Sequence, residues 1–385
     1  MTNPFTRGMA RATDLTRSGK LTEATALIRS LLHPKSDPQK TDRAAEPDTI
    51  EGSFTRVDGM DPKKQTATGP ALRKARKGLA ETLRGIAAGG MPPRGAWAPV
   101  PVDLRAGAQF LSLTHSGPHG RRDYRLYVPA ARPDAPMPLI VMLHGCTQTP
   151  EDFATGTGMN TLAEEFGCLV AWPAQPGGAN AQKCWNWFRP EDQGRDRGEP
   201  ALIAAIVQDI LRDHPADPAR VYAAGLSAGG AAAAILGAAY PDIFAAVGVH
   251  SGLPVGSAQD VPSAFAAMQG GAGAGDRRVR VPTIVFHGSA DTTVHPANGK
   301  AVLAQAMQSG FDHTQVLVSE SLAGGRSYRQ TRHDDRSGRS MAEHWVINGA
   351  GHAWAGGNPS GSYTDPKGPD ASREMLRFFL QHKRV

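Results

Sequence analysis

The stretch that most constrains this chain is residues 225–230, which read Gly-Leu-Ser-Ala-Gly-Gly. A strand-like run, residues 220–222, precedes it, and an alanine-rich, helix-like run, residues 231–236, follows it. The pattern Gly-x-Ser-x-Gly is typical of a nucleophile elbow, a strand-to-helix turn too sharp for side chains beside the serine. Such a turn exposes the serine hydroxyl and leaves backbone N–H groups free at a helix N-terminus. A turn that serves packing alone fits the same pattern, so the rest of the chain must show whether this serine is catalytic.

Beyond residue 97 the sequence alternates between strand-like and helix-like segments. The first two strands are predicted as an antiparallel pair, and the later ones are short apolar runs typical of buried parallel strands. Strands are predicted at residues 110–114, 124–128, 139–143, 169–172, 221–224, 245–249, 283–286 and 344–347. Helices are predicted at residues 159–166, 200–212, after 227, at 297–307 and at 372–381. This alternation predicts an α/β fold, a doubly wound and mostly parallel sheet with helices on both faces and catalytic loops at the carboxyl ends of its strands.

Residues 1–96 differ in composition from the rest of the chain. They hold 17 Lys and Arg residues against 10 Asp and Glu residues, whereas residues 97–385 hold 25 against 26. Amphipathic helices are predicted at 9–32 and 72–86, with a disordered linker at 34–70. We therefore predict a poorly ordered basic extension, residues 1–96, and a catalytic domain, residues 97–385. The second helix is interpreted either as a solvated surface helix or as a docking element for a granule, a membrane surface or a partner protein.

The charge distribution argues against nucleic-acid binding by the main domain, because a basic face would need its charge on the folded surface. No apolar run approaches the roughly 20 residues that span a bilayer, so no transmembrane segment is expected. Residues 1–20 are polar and basic without an apolar central region, so no secretory signal peptide is recognised. Together these features favour a cytoplasmic location.

A nucleophilic serine needs a base and an orienting acid, which follow it in the order Asp or Glu, then His, in this fold class. Asp291 follows a predicted strand and lies 64 residues after Ser227. His352 follows the last predicted strand, 61 residues after Asp291, and the glycines at 349 and 351 before it let its loop reach over the sheet. We predict that His352 takes the proton of Ser227 and that Asp291 fixes the tautomer of His352 and stabilises its imidazolium form.

Other histidines and acids fit these roles less well. His295 lies four residues after Asp291 on the same loop, a poor position from which to reach Ser227. The remaining candidates lie in or at the ends of strands or in polar loops, where structural roles or solvation are expected: His144, His250, His287, His344, Asp334, Asp335 and Asp365.

The oxyanion hole needs two preorganised N–H donors. One is predicted to be the backbone N–H of Ala228, the residue after the nucleophile. The other is expected in the loop after the strand at 139–143, where residues 144–148 read His-Gly-Cys-Thr-Gln. The backbone N–H of Cys146 is the predicted second donor.

The three cysteines are too few for a disulfide framework, and they form no Cys-x-x-Cys or His/Cys cluster that indicates zinc. Cys168 begins an apolar strand and is expected to be buried. Cys146 and Cys184 lie in loops that should reach the active-site rim, where a disulfide would brace it. Free thiols and a disulfide both remain open, since the missing signal peptide favours a reducing compartment. No metal or other cofactor is predicted.

Six motifs in order carry a resemblance to a known family. They are residues 143–148, 184–188 (Cys-Trp-Asn-Trp-Phe), 225–230, 250–252 (His-Ser-Gly), 287–294 (His-Gly-Ser-Ala-Asp-Thr-Thr-Val) and 351–354 (Gly-His-Ala-Trp). Over residues 97–385 the chain resembles the poly(3-hydroxybutyrate) depolymerase family of esterases, α/β-hydrolases that share their fold with feruloyl and acetylxylan esterases. The resemblance implies a triad of Ser227, Asp291 and His352, ester hydrolysis and no metal. It also implies secretion, as for many members, and so an extracellular location that conflicts with the cytoplasmic prediction.

The expected substrates are amorphous polyester, its oligomers or short-chain esters, because no polymer-binding module follows the last predicted helix. Trp185, Trp187 and Trp354 are candidate substrate-binding residues near the crevice, with packing against the rim as the alternative role. Two other functions stay open. One is a feruloyl or acetylxylan type of carbohydrate esterase. The other is a granule- or membrane-associated binding protein that uses its basic N-terminal helices and keeps the hydrolase domain as a scaffold.

Overall fold

The computed structural model describes residues 104–131, 133–273, 275–308, 310 and 315–384. All of them belong to one compact unit. The predicted extension, residues 1–96, lies outside the described residues, so its helices, its linker and the domain boundary at residue 96 stay predictions. Among the described helices, none combines the length and the apolar character that crossing a membrane requires.

Ten described strands form one sheet in the order β1-β2-β4-β3-β5-β6-β7-β10-β9-β8. The strands are β1 (Gln109–Gly117), β2 (Gly120–Val128), β3 (Met137–Leu143), β4 (Leu169–Pro173), β5 (Ala216–Leu226), β6 (Ala246–His250), β7 (Thr283–Gly288), β8 (Gln315–Ala323), β9 (Arg326–Asp334) and β10 (Ser340–Ile347). The six central strands, β4-β3-β5-β6-β7-β10, pair in parallel. The outer strands are antiparallel to their neighbours, β1 and β2 at one edge and β9 and β8 at the other. Two short strands, β11 (Trp354–Ala355) and β12 (Thr364–Asp365), pair with each other apart from this sheet.

Seven described helices cover the two faces of the sheet. They are α1 (Pro150–Thr157), α2 (Met159–Phe166), α3 (Gly198–Asp213), α4 (Ala228–Ala239), α5 (Val261–Gly270), α6 (Ala297–Met307) and α7 (Ala371–Phe379). Alternate residues of β3 serve both faces, because Val141 packs with the core beneath α3 and α4 and Met142 packs with the core beneath α1, α2 and α7. Strands buried on both faces must be apolar throughout, which is why they appear in the sequence as continuous apolar runs.

The predicted α/β-hydrolase fold is confirmed, with each predicted strand and helix of the catalytic domain found at or near its expected place. Helices α1 and α5, the antiparallel hairpin of β8 and β9 and the short strands β11 and β12 were not predicted from the sequence. Strand β9 is polar along its length and half-exposed, so no apolar pattern marked it. Helix α1 has only eight residues and begins with Thr149 as N-cap and Pro150 in its first turn, too short a segment for a helical period to stand out.

Candidate active site

The turn at Ser227 has the geometry of a nucleophile elbow. Strand β5 ends at Leu226, helix α4 begins at Ala228, and Ser227 between them has φ 59° and ψ −118°. A Cβ on Gly225 would lie 2.3 Å from the backbone of Gly229, and a Cβ on Gly229 would lie 2.0 Å from the carbonyl oxygen of Leu143. Neither position has room for a side chain, so both glycines of the motif are sterically required.

Backbone hydrogen bonds hold this strained turn in place. The N–H of Ser227 donates to the carbonyl oxygen of His250 at 2.9 Å, and the N–H of Ala231 donates to the carbonyl oxygen of Ser227 at 3.0 Å. A residue other than glycine with positive φ costs about 1–3 kcal/mol and persists only where its surroundings fix it. Holding the serine in this one orientation therefore lowers the stability of the fold.

Asp291 and His352 form an acid–imidazole pair. The Nδ1–H of His352 donates to Oδ2 of Asp291 at 2.7 Å. The Asp291 side chain is fully buried, and that of His352 is 11% exposed. Because Nδ1 carries the proton in this arrangement, Nε2 is the ring nitrogen that can accept one.

The loop around Asp291 is arranged for a carboxylate. Its Oδ1 accepts hydrogen bonds from the N–H groups of Thr293 and Val294, both at 2.9 Å. Nε2 of His287 donates to the carbonyl oxygen of Val294 and lies 3.5 Å from Oδ2 of Asp291. Burial opposes the charged form, but the interactions with His287, His352 and Val294 outweigh burial and hold the pKa of Asp291 far below its ordinary value.

The three predicted triad residues lie at the same edge of the sheet. Ser227 follows β5, Asp291 follows β7 and His352 follows β10, and these strands run parallel in the order β5-β6-β7-β10. Within the described residues the hydroxyl of Ser227 has no hydrogen-bond partner. The bond from Ser227 to His352 therefore stays a prediction.

The predicted oxyanion loop, residues 144–148, lies beside the nucleophile. A Cβ on Gly145 would be 3.7 Å from Cβ of Ser227. The backbone N–H groups of Cys146 and Ala228 have no acceptor within the described part of the chain, so both are available to an incoming oxyanion. Their role as donors remains a prediction that this geometry permits.

Side-chain hydrogen bonds fix the oxyanion loop. Oε1 of Gln148 accepts from the N–H of Gly145 at 2.9 Å, and Nδ1–H of His144 donates to the carbonyl oxygen of Gly145 at 2.8 Å. The N–H of Gln175 donates to Nε2 of His144 at 3.1 Å, so the ring must be neutral to make both bonds. Burial lowers the pKa of His144 to about 4, although its bond to Gly145 opposes this shift.

A disulfide resolves the alternative that the sequence left open. Cys146 and Cys184 are joined, with an S–S distance of 2.01 Å, while Cys168 is a free, buried thiol. Beside the bridge the N–H of Thr147 donates to the carbonyl oxygen of Gln182 at 2.6 Å. The oxyanion loop is therefore crosslinked to the loop that carries residues 184–188.

For two of the three candidate substrate-binding tryptophans, the structure shows the alternative role, packing. The Trp185 side chain is fully buried and donates its indole N–H to the carbonyl oxygen of His144 at 3.1 Å. Trp354 is 1% exposed and donates to Oγ of Ser372 at 3.0 Å. Neither ring offers surface to a substrate, because both are core residues that support the loops. Trp187 is 6% exposed and packs edge-on against Phe188, which leaves it only a narrow accessible edge.

The buried polar residues that support the Cys184 loop were not predicted from the sequence. Both carboxylate oxygens of Glu199 accept bonds from Asn186, and one also accepts from Nε2 of Gln175 at 2.5 Å. Nε2 of Gln175 also donates to the carbonyl oxygen of Cys184 at 2.9 Å. Glu199 lies on α3, and no motif in the sequence marks it, since only the folded chain brings it to this loop.

Two kinds of comparison relate this chain to known proteins. The sequence profile of the family described as Esterase PHB depolymerase matches residues 122–319. The chain is 34% identical over 241 residues to poly(3-hydroxyalkanoate) depolymerase C of Paucimonas lemoignei, covering 59% of this chain and 57% of that protein. It is 32% identical over 202 residues to feruloyl esterase B of Thermothelomyces thermophilus, covering 47% and 67%.

Among solved structures, the acetyl xylan esterase from Aspergillus awamori has the same fold. It superposes with a TM-score of 0.56 at 21% identity, covering 71% of this chain and 99% of that one. The chain spans little more than half the length of the Paucimonas depolymerase. The family profile nonetheless covers just over half of this chain, and the chain therefore belongs to the PHB depolymerase family of esterases.

Proposed function

We propose that this protein is a serine esterase whose triad is Ser227, His352 and Asp291. The observation that carries the proposal is the hydrogen-bonded pair of Asp291 and His352 at the sheet edge where the Ser227 elbow ends β5. Packing alone does not require an acid–imidazole pair and a strained serine at the same edge of the sheet, whereas acyl transfer needs both.

The geometry suits each step of acyl transfer. His352 takes the proton of Ser227 as its oxygen attacks the ester carbonyl, and the resulting imidazolium lies against a carboxylate whose low pKa keeps it charged. The N–H groups of Cys146 and Ala228 stabilise the negative oxygen of the tetrahedral intermediate. His352 then protonates the leaving alcohol, and water releases the acid from the acyl-enzyme by the same steps in reverse.

The decisive test is turnover of a short-chain nitrophenyl ester by the wild type and by Ser227→Ala. We expect the variant to lose roughly 10⁶-fold in kcat, as when a triad nucleophile is removed. The matched control is Ser116→Ala, which removes an exposed hydroxyl on β1. Equal rates for wild type and Ser227→Ala would refute the proposal.

For substrate, we propose polyesters of short hydroxy acids, such as poly(3-hydroxybutyrate) in amorphous form, and their oligomers. Membership of the depolymerase family and the similarity to a poly(3-hydroxyalkanoate) depolymerase support this choice. A panel of amorphous polymer, trimer and nitrophenyl butyrate, with release of free acid as the readout, tests it. Turnover of nitrophenyl butyrate without release of acid from polymer or trimer would exclude the polyester.

A carbohydrate esterase is the second candidate, because feruloyl esterase B is also a relative of this chain. Feruloyl and acetylated xylo-oligosaccharides in the same panel separate the two. A kcat/KM on these sugars above that on hydroxybutyrate trimer would favour the carbohydrate esterase.

We further propose that the enzyme works in an oxidising, extracellular compartment rather than in the cytoplasm. The disulfide between Cys146 and Cys184 supports this location, since such bonds persist where thiols are not kept reduced. Thiol labelling of the protein recovered from the medium and from cells tests it. Finding the protein only inside cells, with three free thiols, would exclude an extracellular site.

Residues 1–96 lie outside the described residues, and we propose for them association with a polyester granule or another surface. The basic composition of this segment supports the idea. Deleting residues 1–95 should reduce partitioning to granules while kcat on a soluble ester is kept; unchanged partitioning would contradict it.

A further inference from the structure

A groove of about 460 Å³ extends along the sheet edge on the side of the oxyanion loop away from His352. Its floor comes from β1 and β2, and its walls from the segments that follow β3 and β4. The strand order places β5, β3, β4, β2 and β1 side by side, so the groove continues the edge on which Ser227 lies. No role in the esterase mechanism above uses it.

The groove and the nucleophile share one structural support. Gln148 lines the groove, and its Oε1 accepts a hydrogen bond from the N–H of Gly145. A Cβ built on Gly145 would lie 3.7 Å from Cβ of Ser227. A substrate chain that enters the groove therefore passes directly beside the oxyanion loop.

The charges that line the groove are unequal. Arg125 pairs with Glu151 at 2.7 Å, and Arg121 lies 3.6 Å from Asp123. Lys183 also lines the groove, and within the described residues its ammonium has no carboxylate partner. The wall thus holds one cation more than its anions neutralise.

The backbone of Lys183 is fixed beside the reacting centre. The residue has φ 53°, and its N–H donates to the carbonyl oxygen of Asn180 at 2.8 Å. The next residue, Cys184, is bonded to Cys146 of the oxyanion loop. The crosslink therefore fixes the backbone from which the Lys183 side chain extends beside the oxyanion loop.

The remaining lining argues against two other ligands. The aromatic residue of the lining, Tyr124, is 6% exposed, so a sugar ring finds no platform on which to stack. Polar side chains, among them Thr114 and Thr149, are interspersed with apolar ones along the groove, so no continuous apolar channel is offered to a long alkyl chain.

We propose that this groove binds a carboxylate carried by the ester substrate and that Lys183 is the cation that pairs with it. The inference deepens the proposed esterase function and rests on it. Esters of this class include hydroxy acid oligomers, which end in a carboxylate on their alcohol half, and half-esters of dicarboxylic acids, which carry it on their acyl half. A charge-assisted bond to such a group favours acidic oligomers over neutral esters.

The test compares matched acidic and neutral substrates. The first pair is the 3-hydroxybutyrate trimer and its methyl ester, and the second is a nitrophenyl half-ester of glutaric acid and its methyl ester. We expect Lys183→Gln to lower kcat/KM about fivefold on the acidic member of one pair, through KM, and to leave its neutral partner unchanged. The pair that responds identifies the half of the substrate that lies in the groove.

The control is Lys300→Gln, which removes an exposed ammonium from α6 and should change neither pair. Added salt at 0.5 M should reduce the preference of the wild type for the acid. Equal loss on acidic and neutral members, or no loss on any acid, would overturn the proposal.

A binding measurement separates this inference from the esterase proposal. Calorimetric titration of Ser227→Ala with the trimer acid needs no turnover, and adding Lys183→Gln should weaken binding about fivefold. If that difference is absent while the wild type turns over nitrophenyl butyrate, the groove proposal alone fails. If the wild type turns over no ester, the esterase proposal fails whatever the titration shows.

Discussion

The two halves of the candidate site are stabilised in different ways. On one side, hydrogen bonds from two backbone N–H groups and from the imidazole of His352 fix Asp291, and His287 lies 3.5 Å from its carboxylate. On the other side, a covalent bridge joins Cys146 to Cys184, and a neutral imidazole at His144 supports the loop. The proton-transfer half therefore depends on keeping one charge ionised, whereas the oxyanion half depends on keeping one loop in place.

The largest expected effect tests the proton-transfer half. Asp291→Asn keeps the size of the side chain but removes the charge that selects the His352 tautomer, so kcat should fall about 10⁴-fold. Steady-state kinetics on nitrophenyl butyrate measure it, with Asp213→Asn, an exposed residue at the end of α3, as control. A loss below tenfold would mean that another acid orients His352.

A smaller loss is expected from the oxyanion half. The double variant Cys146→Ser, Cys184→Ser leaves the backbone donors present but less fixed, so kcat should fall about 10- to 100-fold, less than the 10²–10³ for removal of a donor. KM should change little, because the donors act on the transition state.

Stability gives a second measure of the same bridge. The bridge spans 38 residues, and its removal should lower the free energy of unfolding by about 4 kcal/mol in the chain-entropy description. Urea unfolding of the double variant measures this loss. Dithiothreitol should lower the kcat of the wild type and leave that of the double variant unchanged. If neither reduction nor the double substitution lowered kcat, the oxyanion loop would need no bridge.

The smallest effect is on the pH dependence of stability. Burial lowers the pKa of His144 to about 4 from about 6.5, so the unfolded chain binds a proton at this residue in that interval and the folded chain does not. Stability from this group is complete above pH 6.5 and falls as the pH drops toward 4, by at most about 1.4 kcal/mol per pH unit.

Urea unfolding of the wild type and of His144→Gln between pH 7 and pH 4.5 measures this dependence. We expect a shallower slope for the variant. His250, in the proton-transfer half, is the residue to compare with His144, because burial, with the neighbouring His287 and His352, lowers its pKa to about 3. An unchanged slope in His144→Gln would show that His144 is protonated in the folded state.

The proton-transfer half was predictable because its residues follow strands in a fixed order. Asp291 and His352 each come directly after a buried apolar run, and parallel strands bring their carboxyl ends to one edge. Strand positions thus gave approximate side-chain positions before any contact was known. The elbow was predictable for a related reason, since the close approach of Gly229 to Leu143 excludes other residues.

The support of the oxyanion half was less predictable, because it depends on contacts between distant segments. Glu199 on α3 reaches Asn186, and the ring of Trp185 turns inward to bond the carbonyl oxygen of His144. The sequence left both substrate binding and packing open for Trp185, because burial is decided by the packing of neighbouring loops. The pairing of Cys146 with Cys184 likewise depends on the approach of two loops that sequence spacing does not fix.

His250 joins the two halves through its own backbone and ring. Its carbonyl oxygen accepts the N–H of Ser227 at 2.9 Å, and its Nε2 accepts the N–H of Ala355, three residues after His352, at 3.0 Å. An opening of the elbow that displaces His250 also breaks its bond to Ala355. We therefore expect the two amide protons to exchange with solvent in one concerted opening, so that the nucleophile and the base lose their protection together.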